Sequence, residues 1–424
     1  MSSYLQNSVK IDLTFADVFA GCGGLSLGLI NAGWQGLFAI EKNTDAFETL
    51  KTNLISSQRG GFVWPSWFPV MPTEVVSFLT DYGDQVSQLK GQLTLLAGGP
   101  PCQGFSMAGR RTHADPRNTL TEEYIKIVQK LEPRFLLIEN VQGFTLPFKK
   151  HRKGSEKDKQ NPYSSQIIDQ LKLLGYGVFS KIIDLSNYGV PQTRKRFILI
   201  AIRKDDPAFT KLGSETPFSL LEANRASILA SKGLDFDIAI SVKEAIGDLE
   251  VSEKELANCT DSPVKGFKQI TYNSDSFSSP FIVLMRKGFN DAPNSLRLSN
   301  HSLSTIQKFQ RIMETCSSGR PISKEDRKRL GIKKRAITPL NSNLPSTTVT
   351  TLPDDIIHYS EPRILTVREN ARLQTFPDWY SFTGNYTTGG NKRKSECPRY
   401  TQVGNAVPPL LAEAIGLTLK ELAS

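Results

Sequence analysis

Disulfide and metal chemistry are poorly provided for in this chain, which has five cysteines and four histidines in 424 residues. Cys22, Cys102, Cys259, Cys316 and Cys397 are odd in number, far apart and never spaced as C-x-x-C, so neither a disulfide framework nor a structural zinc is expected. His113, His151, His301 and His358 are equally scattered, and none makes a ligand cluster with a cysteine. Long apolar runs are missing too. Phe197 to Ile202 falls far short of the ~20 residues that span a bilayer, and Met1 to Lys10 lacks the apolar segment of a signal peptide. The expectation is a cytoplasmic protein without metal, in which any reactive cysteine acts as a lone nucleophile. Acidic charge is the remaining deficit: 42 Asp and Glu against 52 Lys and Arg leave +10, a balance suited to a polyanionic partner. A hydrophobic content of 39% is enough for packed cores and excludes disorder as the main state.

From Leu13 to Ile202 short apolar runs alternate with amphipathic stretches, the pattern of a parallel α/β sheet. The strand candidates are Leu13 to Phe19, Leu37 to Ile40, Leu93 to Ala97, Phe135 to Ile138, Val178 to Ile183 and Phe197 to Ile202. Several are continuous runs of Leu and Ile, as in strands covered on both faces. A helix after Gly24 should end at Gly33, Thr119 to Glu122 reads as a capping box, and Ser165 to Leu174 as a further helix. Past Arg203 the pattern loosens. Short helical pieces at Val242 to Leu249 and Leu303 to Cys316 lie among polar connections, and Ser323 to Arg335 is dense in Lys and Arg. Thr366 to Glu369 is another capping box, and Pro408-Pro409 opens a last helix. No internal repeat is visible, and Lys149 to Gln160 reads as a solvated basic loop.

Four stretches carry chemistry. Phe19-Ala-Gly21-Cys-Gly23-Gly24-Leu25 lies where a strand yields to a helix, and Glu41 closes the next strand at the position suited to ribose hydroxyls. The dinucleotide fingerprint fails at Ser26, where it requires Gly, which favours an adenosine cofactor without a pyrophosphate; the plain alternative is a turn needed only for chain geometry. Gly98-Gly-Pro100-Pro-Cys102-Gln103-Gly-Phe-Ser106 follows the third strand, placing Cys102 at the sheet edge where ligands bind, unless it is merely a small buried hydrophobe. Glu139 directly follows Phe-Leu-Leu-Ile, where an unpaired carboxylate is costly. Gln192-Thr-Arg194-Lys-Arg196 precedes the last strand of this half. Alternation points both arginines to one side, and a solvated basic turn is the competing reading.

Taken together with Arg363 to Glu369, Leu373 to Pro377 and Gln402-Val-Gly-Asn405-Ala-Val407-Pro-Pro409, these blocks resemble, in their order, the motifs of the DNA (cytosine-5) methyltransferases, particularly bacterial enzymes of restriction-modification type. The resemblance spans Leu13 to Arg203 and Glu361 to Ile415. It implies a Rossmann-like S-adenosylmethionine-dependent methyltransferase sheet domain, residues 1–203 plus 398–424, with a second, smaller target-recognition domain, residues 204–397. Carbon 5 of cytosine is a poor nucleophile, so the family first adds a thiolate at carbon 6 of a flipped-out base. Cys102 matches that nucleophile, Glu139 the donor at ring N3, Arg194 the residue at cytosine O2, and Arg196 its support. Phe19 would pack on the adenine of S-adenosyl-L-methionine, and Gly21, Gly23, Gly24, Leu25 and Pro100 would border the cofactor. Glu41 would hold its ribose, while Asn405 and Val407 close the pocket. Glu74 or Asp81 would take the adenine amine.

Gln103, Ser106, Arg110 and Arg111 would contact the substrate, Ser106 to Asn118 resembles the loop that folds over DNA, and Arg327 to Arg335, for which a solvated face is the competing reading, and Asn294 to His301 are candidates for the recognition surface. The implied partner is double-stranded DNA, met by a monomer associated with the nucleoid. Among competing classes, a zinc deaminase fails because no H-x-E is present and Phe105 stands where a second Cys is required. A nicotinamide dehydrogenase fails at Ser26, and a catalytically dead DNA-binding subunit would not need Cys102, Glu139, Arg194 and Arg196 together. A tRNA cytosine-5 methyltransferase shares the catalytic motifs and stays open as the alternative. The length of the interval Lys204 to Pro362 and the Pro100-to-Ser106 sequence lean toward DNA.

Overall fold

The computed structural model describes residues 13–100, 119–146, 162–252, 254–262, 264–273, 276–387 and 396–424. Seven strands of the first half are β1 (Thr14–Val18), β2 (Gln35–Ile40), β3 (Leu95–Gly98), β4 (Phe135–Val141), β5 (Tyr176–Asp184), β6 (Gln192–Thr193) and β7 (Lys195–Arg203). All but β6 form one sheet in the order β2-β1-β3-β4-β7-β5. Strands β1 to β4 are mutually parallel, whereas β7 runs antiparallel to both β4 and β5. An all-parallel sheet is therefore not what forms. The link from Leu185 to Arg194 contains only a 3₁₀ turn and β6, too little for the helical crossover that parallel strands require.

Both faces of the sheet are covered, which is why its strands read as unbroken apolar runs. Phe135 and Leu137 enter a core with Leu25 and Leu29 of α1 (Gly24–Asn31) and with Leu411, Ile415 and Leu419 of the C-terminal helix Pro409–Ala423. Leu136 and Ile138 enter the opposite core with Phe38, Phe78, Tyr124 and Leu131. The C-terminal helix thus returns to complete the first layer. Its approach is so close that a Cβ on Gly28 would lie 2.4 Å from the Pro409 carbonyl oxygen.

The rest of the chain is built from short helices and buried charge. Val242–Ile246, Pro280–Arg286 and Val367–Leu373 share a small apolar cluster. Around it Arg372, with no exposure, holds Asp248 at 3.0 Å and Asp378 at 2.5 Å. Arg363 binds Glu369 at 2.7 Å, Arg399 binds Asp261 at 2.7 Å, and Arg368 binds Asn294 at 2.8 Å. The expected capping box is present: Thr366 Oγ1 accepts from the Glu369 amide at 3.1 Å, and Glu369 accepts from the Thr366 amide at 2.6 Å. Val367, Phe376, Tyr380, Tyr386 and Val403 share one core with Ala20, Cys22 and Leu27, so this stretch packs on the first glycine-rich turn. The helix Thr119–Leu131 is present, but its cap lies outside the described residues, as does the basic loop at 149–160.

Candidate active site

Parallel register brings the ends of β1, β2, β3 and β4 to one edge, where Val18 pairs with Ile40 and Gly98, and Gly98 with Ile138. Because β7 is antiparallel, its beginning reaches the same edge and Arg196 pairs with Val141. The stretches singled out from the sequence, spread from Phe19 to Arg196, therefore converge as far as they are described.

At the first turn Phe19 adopts a left-handed backbone, φ 64°, which is strained for a bulky residue. Gly23, φ 88°, caps α1 without any side-chain hydrogen bond, and a Cβ on it would meet the Tyr380 hydroxyl at 2.8 Å. Glu41 ties this turn to the end of β2. One carboxylate oxygen accepts from the Gly21 amide at 3.0 Å and the other from the Asn43 amide at 2.7 Å. Burial raises its pKa above the ordinary carboxylate value. Behind it Asp17 is buried, accepts from Ser26 Oγ at 2.6 Å and is pushed up to about 7 by desolvation. Its second oxygen has no partner among the described residues. No sequence motif singles out Asp17, since a carboxylate inside a strand gives no signal until its neighbours are known.

The opposite side of the edge is formed by β3, β4 and β7. A Cβ on Gly98 would lie 2.6 Å from the Val18 carbonyl oxygen, so only glycine lets this turn leave the sheet here. Gly99 lies over Glu139, and Asn140 Nδ2 donates to the buried Pro100 carbonyl at 3.1 Å. Cys102, two positions further on, lies outside the described residues, as do Gln103, Ser106, Arg110 and Arg111. Glu139 and Arg196 form a half-buried ion pair at 2.8 Å. Arg194 goes elsewhere. Its guanidinium donates to the Val349 carbonyl at 2.9 Å and the Gly404 carbonyl at 3.1 Å, and the side chain is 3% exposed. Alternation put Arg194 and Arg196 on one side, but only Arg196 lies within the regular strand, which begins at Lys195.

Two connections were not visible in the sequence. Strand β6 pairs in parallel with Ser346–Thr347, and Gln192 binds the Leu373 carbonyl at 2.8 Å and Gln374 at 2.6 Å, joining the Arg194 turn to the far half of the chain. The Thr73 amide donates to the Glu41 carbonyl at 2.8 Å, which lays Glu74 beside the end of β2, while Asp81 sits exposed within the helix Val75–Gln88. From the C-terminal side Val407 is half-buried and its carbonyl would be 2.3 Å from a Cβ on Gly24, while the Asn405 side chain is exposed. Among the described residues no group of three His, Cys, Asp or Glu could hold a metal, and no helix is long and apolar enough to cross a membrane.

The sequence pattern of the C-5 cytosine-specific DNA methylases matches residues 13–421. The chain belongs to that family. As a DNA (cytosine-5)-methyltransferase it is 32% identical, over 95% of its own length and 87% of the relative's, to the Type II methyltransferase M.DdeI of Desulfomicrobium norvegicum. It is 30% identical to the Type II methyltransferase M.XorII of Xanthomonas oryzae pv. oryzae, covering 94% of this methyltransferase and 82% of that one. Its fold resembles that of a putative DNA modification methyltransferase encoded within an E. coli prophage, with TM-score 0.64, 22% identity and coverage of 97% and 99% of the two chains. An enzyme of this family requires a methyl donor.

Proposed function

We propose that this DNA (cytosine-5)-methyltransferase uses S-adenosyl-L-methionine and acts on a flipped-out cytosine through a covalent bond from Cys102, as the modification enzyme of a restriction-modification system. The observation that carries the reading is the Glu139–Arg196 pair at the sheet edge, with the Gly99-Pro100 turn that leads to Cys102 lying over it. The residues around the donor site fit: each Glu41 oxygen keeps a lone pair after accepting one amide, and α1 starts from a glycine with no side-chain cap. Phe19, Gly21, Gly23, Gly24, Leu25 and Pro100 would border the donor, with Asn405 and Val407 closing it. Glu74 rather than Asp81 would take the adenine amine, because the Thr73 hydrogen bond brings it to the end of β2.

Bound there, S-adenosyl-L-methionine supplies an electrophilic methyl group for carbon 5. The Cys102 thiolate's electron pair forms the bond to carbon 6, the displaced C5=C6 π electrons shift toward C4 and N3, and Glu139, carrying a proton, donates it or a hydrogen bond at N3, which leaves carbon 5 nucleophilic. After transfer, a water molecule takes the carbon-5 proton, the C–H electron pair restores the C5=C6 double bond, and the C–S pair leaves with Cys102 as thiolate. Arg196, already bound to Glu139, would reach cytosine O2, the role the motif match gave to Arg194. Arg194, which ties Val349 to Gly404, acts as a positioning residue. Residues 204–397 would supply target recognition, and a single chain would act as a monomer. A tRNA substrate is not favoured, since the family match and the relatives named above are DNA enzymes or Type II methyltransferases.

Bisulfite sequencing of plasmid and tRNA from expressing cells tests this. Wild type should convert one DNA sequence context to protected cytosine, and Cys102→Ala should lose all protection while binding S-adenosyl-L-methionine normally. Protection by the variant, or protection confined to tRNA, would overturn the proposal.

A further inference from the structure

The positive charge of the chain is concentrated in one stretch outside its motifs. Residues 301–335 contain ten Lys and Arg against three acidic residues, a net +7 of the +10 carried by the whole chain. This stretch has its own apolar centre, in which Phe309, Ile312, Ile322 and Ile332 pack with Ile337, Ile357 and Ile364. The helix Leu303–Thr315 turns Phe309 and Ile312 inward and leaves Lys308 and Arg311 exposed. The following helix, Lys324–Arg329, buries none of its residues. Internal pairing uses few of the cations: Arg329 binds Asp326 at 2.6 Å, and Lys334 binds Asp354 at 2.6 Å and Asp355 at 2.7 Å. Lys308, Arg311, Lys324, Lys328, Lys333 and Arg335 are exposed, with no ion pair among the described residues.

The position of this unit matters as much as its charge. The chain leaves it at Ile337, and Ser346–Thr347 then pairs with Gln192–Thr193 immediately before Arg194. The cationic unit is thus tied by a short segment to the edge that carries the Glu139–Arg196 pair.

We propose that residues 301–335 form a sequence-independent clamp on the phosphate backbone of duplex DNA. This rests on the DNA reading above and assigns the unit to holding the duplex rather than to reading it. A group that reads a base must be held in a fixed position within a groove, whereas one that binds a phosphate can be a mobile, hydrated ammonium. Long exposed side chains, two of them on a helix with no buried residue, suit the second task. Each neutralised phosphate releases counterion, so the clamp supplies much of the salt dependence of binding and none of the sequence preference.

The test is the full chain with Lys308, Arg311, Lys324, Lys328, Lys333 and Arg335 all changed to Gln, titrated with a mixed-sequence DNA duplex across a range of NaCl concentrations. The plot of log affinity against log salt should become shallower by ~0.9 for each phosphate that is no longer neutralised, ~3 to 5 in all, with affinity near ~0.1 M salt down by about a thousandfold or more. The set of cytosines methylated should not change. Two smaller variants, Lys308→Gln with Arg311→Gln and Lys333→Gln with Arg335→Gln, should each give a proportionate part of the change, so a folding defect in the sixfold variant leaves the test intact. Exchanging Lys for Arg and Arg for Lys at the same six positions should keep the wild-type slope. If wild type binds steeply and the Gln variants keep its slope, or lose affinity only for a tRNA probe, the clamp is overturned. If wild type neither binds nor methylates DNA, the DNA reading itself fails.

Discussion

The two halves of this methyltransferase are stabilised by different physics. In the sheet half, Phe135 to Ile138 are buried on alternating faces among apolar side chains, and a charged group such as Asp17 inside a strand is the exception. In the far half, Arg363, Arg368, Arg372 and Arg399 lie buried among carboxylates and carbonyls, and the strands there are two or three residues long. Apolar burial is tolerant of detail and leaves a periodic trace in the sequence. A buried ion network depends on geometry and is strongly destabilising when one partner is removed, because the remaining groups stay charged in a dry interior. The first half is therefore the scaffold that many sequences can build, and the second is where specific pairings hold irregular chain in place.

Removing one member of the buried network is the strongest way to probe that contrast. Arg372→Met leaves Asp248 and Asp378 without their shared cation and should cost ~3–5 kcal/mol of stability, measured by denaturant unfolding. Adding Asp248→Asn and Asp378→Asn should return part of it. A loss below ~1 kcal/mol, the size of a surface ion pair, would break the comparison. A smaller effect is expected at the seam of the halves. Gly24→Ala places a methyl group 2.3 Å from the Val407 carbonyl oxygen. One side must give way at a cost of ~1–3 kcal/mol, and calorimetry should also show weakened binding of the methyl donor. A variant as stable as wild type would mean that the C-terminal segment sits loosely on α1.

The mildest test addresses Asp17, a buried carboxyl of the sheet half with no ion pair among the described residues. Asp17 has its pKa raised by burial from 3.8 to about 7, so between those values the folded state keeps a proton that the unfolded state has released. Stability should then fall as pH rises across that window, by at most ~1.4 kcal/mol per pH unit. Asp17→Asn keeps an acceptor for Ser26 and should reduce this slope, leaving the share of Glu41, whose raised pKa acts in the same direction. Identical pH profiles for variant and wild type would remove Asp17 from this role.

Much of the sheet was legible from periodicity. The expected strands at Phe135 to Ile138 and Phe197 to Ile202 lie within β4 and β7, and the expected helix after Gly24 ends at Asn31, before Gly33. The antiparallel course of β7 was not legible, because apolar periodicity carries no strand direction. At the candidate site, Glu139 after an apolar run does find a cation, as the cost of an unpaired carboxylate requires, and that cation is Arg196. The divergence of Arg194 from Arg196 was hidden, since it depends on carbonyls at Val349 and Gly404 that lie more than 150 residues further along the chain. The Cys102 loop lies outside the described residues, and its role is legible only from motif.

By itself the sequence determined the family, the two-faced sheet and the scarcity of metal-binding residues, because composition, periodicity and ordered motifs are local properties. Tertiary structure alone decided which arginine meets Glu139, which acidic residue comes to the end of β2, and which cations of residues 301–335 stay exposed. Each of these depends on the relative placement of segments distant in the chain, and that placement is set by close backbone approaches and buried ion pairs that leave no period to read.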